Sequence, residues 1–143
     1  MAVVYRPPES EKEFENYLKF RWEQLRKPLG LTQGSEQDEL ENSAFHIAAF
    51  NNEKIIGVGR LQIEKDASAR IRYMAVDNKF RKQGIGSRLL EELENIAKAK
   101  GVKDCWLNAR ESAARFYLKN NYEIRGEATS ELEIPHQKME KTL

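Results

Sequence analysis

Cysteine is almost missing from this chain: Cys105 is the only one among 143 residues. A lone cysteine excludes an internal disulfide and suits a reducing cytosol. Net charge is nearly missing too. The 24 Lys and Arg residues against 23 Asp and Glu leave +1, which offers no electrostatic case for a nucleic-acid partner. No apolar run is long enough to cross a bilayer and nothing resembles a signal peptide, so no membrane partner is expected and a cytoplasmic location is. Repeats and low-complexity tracts are absent as well. The expectation is a single domain over residues 1–143, long enough for a proper core, with no metal.

What is present is organised around the stretch from Ile71 to Gly101. A short apolar run, Ile71 to Val76, reads as a strand; Asp77 to Phe80 turns into Arg81-Lys82-Gln83-Gly84-Ile85-Gly86. A helix then follows, with Ile85, Leu89, Leu90, Leu93, Ile96 and Ala97 at helical spacing and Gly101 at its end. Strand, glycine-bearing loop and helix together aim free backbone N–H groups at the helix N-terminus, where a phosphate is favoured. Gly84 and Gly86 permit close approach of a ligand, and Arg81, Lys82 and Arg88 add positive charge. The stretch reads as a pyrophosphate cradle. It is not a P-loop, because Gly-Lys followed by Ser or Thr is missing, and Leu89 stands where the dinucleotide fingerprint needs a third small residue.

Ala75-Val76 followed by Arg81-x-x-Gly84-x-Gly86 resembles the coenzyme A motif of the GNAT acetyltransferase superfamily. A second segment, Ala113 to Tyr122, is similar to that family's Ala-x-x-apolar-Tyr-x-Lys-x-Gly-Phe. Asn121 takes the place of the glycine and tolerates the same left-handed backbone. A third, Glu131-Leu132-Glu133-Ile134-Pro135-His136 with Met139, looks like a small bacterial, ElaA-like branch, as does Lys19-Phe20-Arg21-Trp22-Glu23.

Read in order, Ala2–Tyr5 is a strand, and Ser10 with Glu13 is a capping box. Phe14, Tyr17, Leu18, Trp22 and Leu25 mark a helix ending near Pro28. An acidic loop follows, then strands 44–50 and 54–64 joined at Asn51-Asn52-Glu53. After the central strand and helix come a strand over 102–109, a short helix over 112–120, and strands over 122–129 and 135–142. The order β-α-β-β-β-α-β-α-β-β is an α/β fold (an α+β mixed sheet), and it is the GNAT-like acyl-CoA N-acyltransferase order.

The resemblance implies direct transfer of acetyl from acetyl-CoA, as co-substrate, to a primary amine of a small molecule or peptide. Backbone groups of Met74, Ala75 and Val76 would pair with pantetheine and supply the oxyanion donor. Arg81, Lys82, Gln83, Gly84, Ile85, Gly86 and Ser87 would hold the pyrophosphate. Asn108 would hold pantetheine or a water. Tyr117 would protonate the leaving thiolate, a near-balanced transfer because phenol and alkyl thiol have comparable pKa values; the plainer alternative is a helix residue packed on the sheet. A protonated amine cannot attack, so a base is needed. Glu131 and His136 are named first for it, His46 and Glu64 after them. Arg21, Trp22 and His136 are expected on the acceptor side. Glu36, Asp38, Glu39 and Glu41, with Glu127, Glu131 and Glu133, suggest a cationic acceptor, against the alternative of ordinary solubilising surface. Cys105, in an apolar strand, reads as core. A non-catalytic acyl-CoA-binding regulatory module is the alternative function, and edge strands at the chain ends could pair across a homodimer.

Overall fold

The Ser10 hydroxyl accepts the Glu13 N–H at 3.1 Å, so the first helix begins where the capping signature places it. The Glu13 carboxylate reaches one residue further back than a capping box requires, to the Glu9 N–H and the Arg6 guanidinium. In the computed structural model, which describes residues 2–128 and 134–143, the elements run β1 (Val3–Arg6), α1 (Glu11–Leu25), β2 (Phe45–Asn51), β3 (Lys54–Ile63), β4 (Ala69–Val76), α2 (Ile85–Ala99), β5 (Asp104–Arg110), α3 (Ala114–Lys119), β6 (Glu123–Ala128) and β7 (His136–Thr142). The order matches the sequence expectation element for element. No described helix is long and apolar enough to cross a membrane.

The strands form one mixed sheet ordered β1-β2-β3-β4-β5-β7-β6. The last strand therefore inserts between β5 and β6, an arrangement that strand spacing in the sequence does not disclose. Only β4 and β5 run parallel. Helix α2 lays Ile85, Leu89, Leu90, Leu93 and Ala97 on one face of the sheet, the stripe its spacing predicts. Its buried exception is Glu94, whose carboxylate accepts from the Tyr122 hydroxyl at 2.8 Å and pairs with Lys141 at 3.0 Å. Helix α1 covers the other face with Tyr17 and Phe20 against Ala48, Phe50, Ile55 and Val58.

A bulge interrupts β4. Its pairing with β3 passes from Arg60↔Arg72 to Val58↔Ala75, so Tyr73 and Met74 together face Gly59. Tyr73 takes the left-handed conformation, φ 58°, which costs a side-chain-bearing residue roughly 1–2 kcal/mol. The extra residue switches the side-chain alternation. Ala69 and Ile71 face α2 before the bulge, whereas Met74 and Val76 do after it. Gly59 makes room for this, since a Cβ there would lie 2.6 Å from the Met74 sulfur.

Beneath α1 lies a charged layer. Arg21 and Arg60 are both fully buried. Arg60 pairs with Asp38 at 2.7 Å and Glu41 at 2.9 Å, and bonds Gln62. Arg21 shares Glu41 at 2.9 Å and donates to the Glu36 carbonyl. The guanidinium groups of Arg21, Arg26, Arg60 and Arg72 all lie within 4.3–5.8 Å of the Tyr73 ring centre, each a favourable cation–π contact. Burial alone would raise the Asp38 carboxyl. Hydrogen bonds from Arg60 and the Leu40 N–H, with the charges of Arg60 and Arg72, outweigh that and hold it at about 2 against an ordinary 3.8.

Removing one partner of a buried pair strands the other charge, so Asp38→Ala is expected to cost about 3 kcal/mol in urea unfolding at pH 7. Because the folded-state pKa of Asp38 is depressed, its stabilisation is complete above the unfolded value and lost on acidification. The gap between wild type and variant should close as pH falls from 3.8 towards 2.

Candidate active site

Strands β4 and β5 are hydrogen-bonded at two register positions, Ala69↔Cys105 and Arg70↔Trp106. Beyond these, β4 runs on to Val76 and β5 to Arg110 without pairing. The split opens a cleft of about 1260 Å³. Past the bulge, the edge of β4 that faces β5 has lost its ladder, leaving backbone groups that a ligand can satisfy.

Met74, Ala75 and Val76 line this cleft, as the sequence predicts. At its end lies the loop before α2. Lys82 and Gly84 are both left-handed, with φ 64° and 81°, a backbone that gathers N–H groups into an anion-binding concavity. No side chain caps α2, so the N–H groups of Ile85, Gly86 and Ser87 have no partner within the helix and sit at its positive end. Arg81 and Lys82 stand alongside, and these residues line the cleft. The Arg81 Nε lies 3.4 Å from the Val76 carbonyl. Uncapped donors, left-handed backbone and two cations fit a pyrophosphate. Gly86 has a different task from the expected one: a Cβ there would lie 3.1 Å from the Phe116 ring, so its bareness lets α2 and α3 close together.

Tyr117 on α3 lines the cleft while remaining 8% exposed. It stacks edgewise on Phe116 and Tyr122, at 5.0 and 5.9 Å between ring centres. Burial raises its phenol above the ordinary tyrosine range, so at neutral pH it holds its proton. Asn108 and His136 line the opposite wall. The His136 Nδ1 lies 2.6 Å from the Ile134 carbonyl. A carbonyl can only accept, so Nδ1 carries the hydrogen and Nε2 of the neutral ring is left as an acceptor.

Other expected site residues stand elsewhere. Arg21 is fully buried in the charged layer, and the Trp22 indole donates to the Leu31 carbonyl at 3.0 Å. Helical spacing turns both from the cleft, which takes Gln24, Leu25 and Arg26 from the same helix. Gln83, between two left-handed residues, is exposed and outside the lining. Arg88 pairs with Glu92 at 2.9 Å. His46 contacts the Tyr17 hydroxyl and the Glu41 carbonyl beneath α1, and burial lowers its pKa. The Glu64 carboxylate accepts from Gln62. Cys105 is fully buried, its thiol pushed up by burial to about 12, as a core residue's would be. Glu131 and Glu133 lie outside the described residues.

The acidic loop does not present the expected cationic site. Glu36 is buried and accepts from the Gly34 N–H; Asp38 and Glu41 turn inward onto arginines. Sequence reasoning missed the opposite feature, Arg70, Arg72 and Arg110 along the cleft. The strict alternation of Ala69-Arg70-Ile71-Arg72, and of Trp106, Asn108 and Arg110 between apolar neighbours, was the available signal.

Residues 41–124 match the family model described as an acetyltransferase (GNAT) domain. The uncharacterised N-acetyltransferase YjcF of Bacillus subtilis (strain 168) is 31% identical over 133 residues, covering 92% of this chain and 94% of that one. Escherichia coli ElaA superposes with a TM-score of 0.83 at 18% identity, over 98% of this chain and 99% of its own. The PaiA N-acetyltransferase of Thermoplasma acidophilum, solved with coenzyme A, does so at 0.76 and 21%, over the whole of both chains.

Gly84→Val, which forces a β-branched side chain into left-handed backbone, is expected to destabilise the fold by about 1–2 kcal/mol and to weaken coenzyme A binding in calorimetric titration. Gln83→Ala, outside the lining, should leave that affinity within about twofold.

Proposed function

The chain belongs to the GNAT acetyltransferase family and is an N-acetyltransferase, and from that premise we propose how the cleft serves its two substrates. Acetyl-CoA places its pyrophosphate on the loop from Arg81 to Ser87. Its pantetheine runs along Met74, Ala75 and Val76 as a substitute strand, with Asn108 facing it from β5. The amine acceptor enters from the side bounded by α1 and His136.

In the transfer a neutral primary amine attacks the thioester carbonyl and a C–N bond forms. A backbone N–H of Met74 to Val76 receives the developing oxyanion. As the C–S bond breaks, the Tyr117 phenol gives its proton to the coenzyme A thiolate. The proton shed by the amine leaves through water, with His136 Nε2 or Glu131 as its acceptor. The enzyme needs no nucleophile of its own. The observation that carries this reading is the unpaired length of β4, with an uncapped helix start beyond it.

Tyr117→Phe is expected to lower kcat about 100-fold while leaving the acetyl-CoA Kd unchanged, measured by coenzyme A release and by titration. An unaltered kcat would remove Tyr117 from the proton path. A wild-type protein that binds acetyl-CoA yet acetylates no amine would favour a binding module instead.

A further inference from the structure

One wall of the cleft carries a charge that the acetyl-CoA end does not account for. In β5 and β7 the register pairs Asn108 with Lys138 and Arg110 with His136, and in β4 and β5 it pairs Arg70 with Trp106. Residues facing each other across a ladder share a face of the sheet, so these side chains line the same side, under α1. Arg70 stands at the closed end of the split and Arg110 at its open end, roughly 13 Å apart along β5.

Both guanidinium groups are held in place. Arg70 stacks on the Trp106 indole at 4.8 Å, with Lys138 4.9 Å from the same ring, and the indole is fixed by its bond to the Ser68 hydroxyl. Arg110 donates to the Leu25 carbonyl at 3.0 Å, pinned to the end of α1. Yet the donors are not used up. The Nε of Arg70 is buried without a hydrogen-bond partner among the described residues, and Arg110 commits one nitrogen of three. Each group is disfavoured by burial and then by a neighbouring guanidinium, Arg72 for Arg70 and Arg26 for Arg110; Glu64 offsets this in part for Arg70. An anion in the cleft would relieve both penalties. No carboxylate is present among the described lining residues.

We propose that this wall is an anion subsite for the acceptor, with Arg70 and Arg110 as its ligands, so that the amine acetylated here carries a carboxylate or phosphate group rather than additional positive charge. The inference rests on the acetyl-transfer reading above and reverses the polarity that the acidic loop suggests in the sequence. Planar guanidinium forks suit either oxyanion and hold it in a fixed orientation.

Matched acceptors test it, with coenzyme A release as the readout: free L-amino acids against their amides, phosphoethanolamine against ethanolamine, and spermidine as a polycation. The anionic member of a pair should show kcat/KM at least about tenfold higher, and the two pairings separate carboxylate from phosphate. Arg70→Gln and Arg110→Gln should each raise the anionic acceptor's KM about tenfold while the acetyl-CoA Kd, which also reports folding, stays unchanged. Equal turnover within pairs, or preference for spermidine, overturns the proposal. Should no acceptor be turned over, binding of N-acetylglycine, N-acetylglutamate and N-acetylphosphoethanolamine to the coenzyme A-loaded protein decides. Binding that Arg110→Gln weakens supports the subsite, and absence of binding overturns it. Loss of acetyl-CoA binding by the wild type would bring down the acetyl-transfer reading and this inference together. Retained acetyl-CoA binding without anion preference brings down this inference alone.

Discussion

A guanidinium with no solvent exposure in the middle of a sheet cannot be left without carboxylates, and Arg60 of β3 is such a group. Its desolvation is offset only if acids are delivered to it with good geometry. That requirement draws the segment carrying Asp38 and Glu41 down onto the sheet and beneath α1. The same guanidinium lies 4.8 Å from the Tyr73 ring, at the residue whose left-handed backbone bends β4. The bend, the lost ladder with β5 and the cleft all follow from a position where backbone strain is held by surrounding contacts. An active site built on strain thus takes its support from a charge network that never touches substrate.

The cleft places unlike environments close together. At one end are uncapped N–H groups and mobile cations suited to a pyrophosphate. Deeper in, Tyr117 sits among aromatic rings, where the absence of water keeps its phenol neutral. The wall across from it is hydrogen-bonded and polar, with Asn108, His136 and the fixed arginines. A thioester spanning these zones has its charged end solvated by the protein and its reacting carbonyl in a drier region, where donors act more strongly.

Local chemistry made much of this readable in advance. Ser10 and Glu13, the α2 stripe and the glycine loop each answer to short-range rules, and each stands where those rules place it. The residues misplaced were those whose role depends on partners far away in the chain. Nothing near Arg21 announces Glu41, twenty positions on, and Gly86 looks like a ligand-facing glycine until Phe116 is packed against it. The arginine wall was written in the strand alternation. It becomes visible only when β7 is known to lie between β5 and β6, which brings Lys138 and His136 beside it.

The two-rung seam between β4 and β5 has a mechanical meaning. It joins a four-stranded plate to a three-stranded one by a short hinge of backbone, with α2 as the brace between them. Without further rungs the plates have little to resist a change in their mutual angle. A chain of amide groups lying in the gap acts as a splint, completing rungs that the polypeptide omits. Rigidity of the catalytic frame is then delivered by the co-substrate itself, and departure of the spent carrier returns the hinge to its looser state.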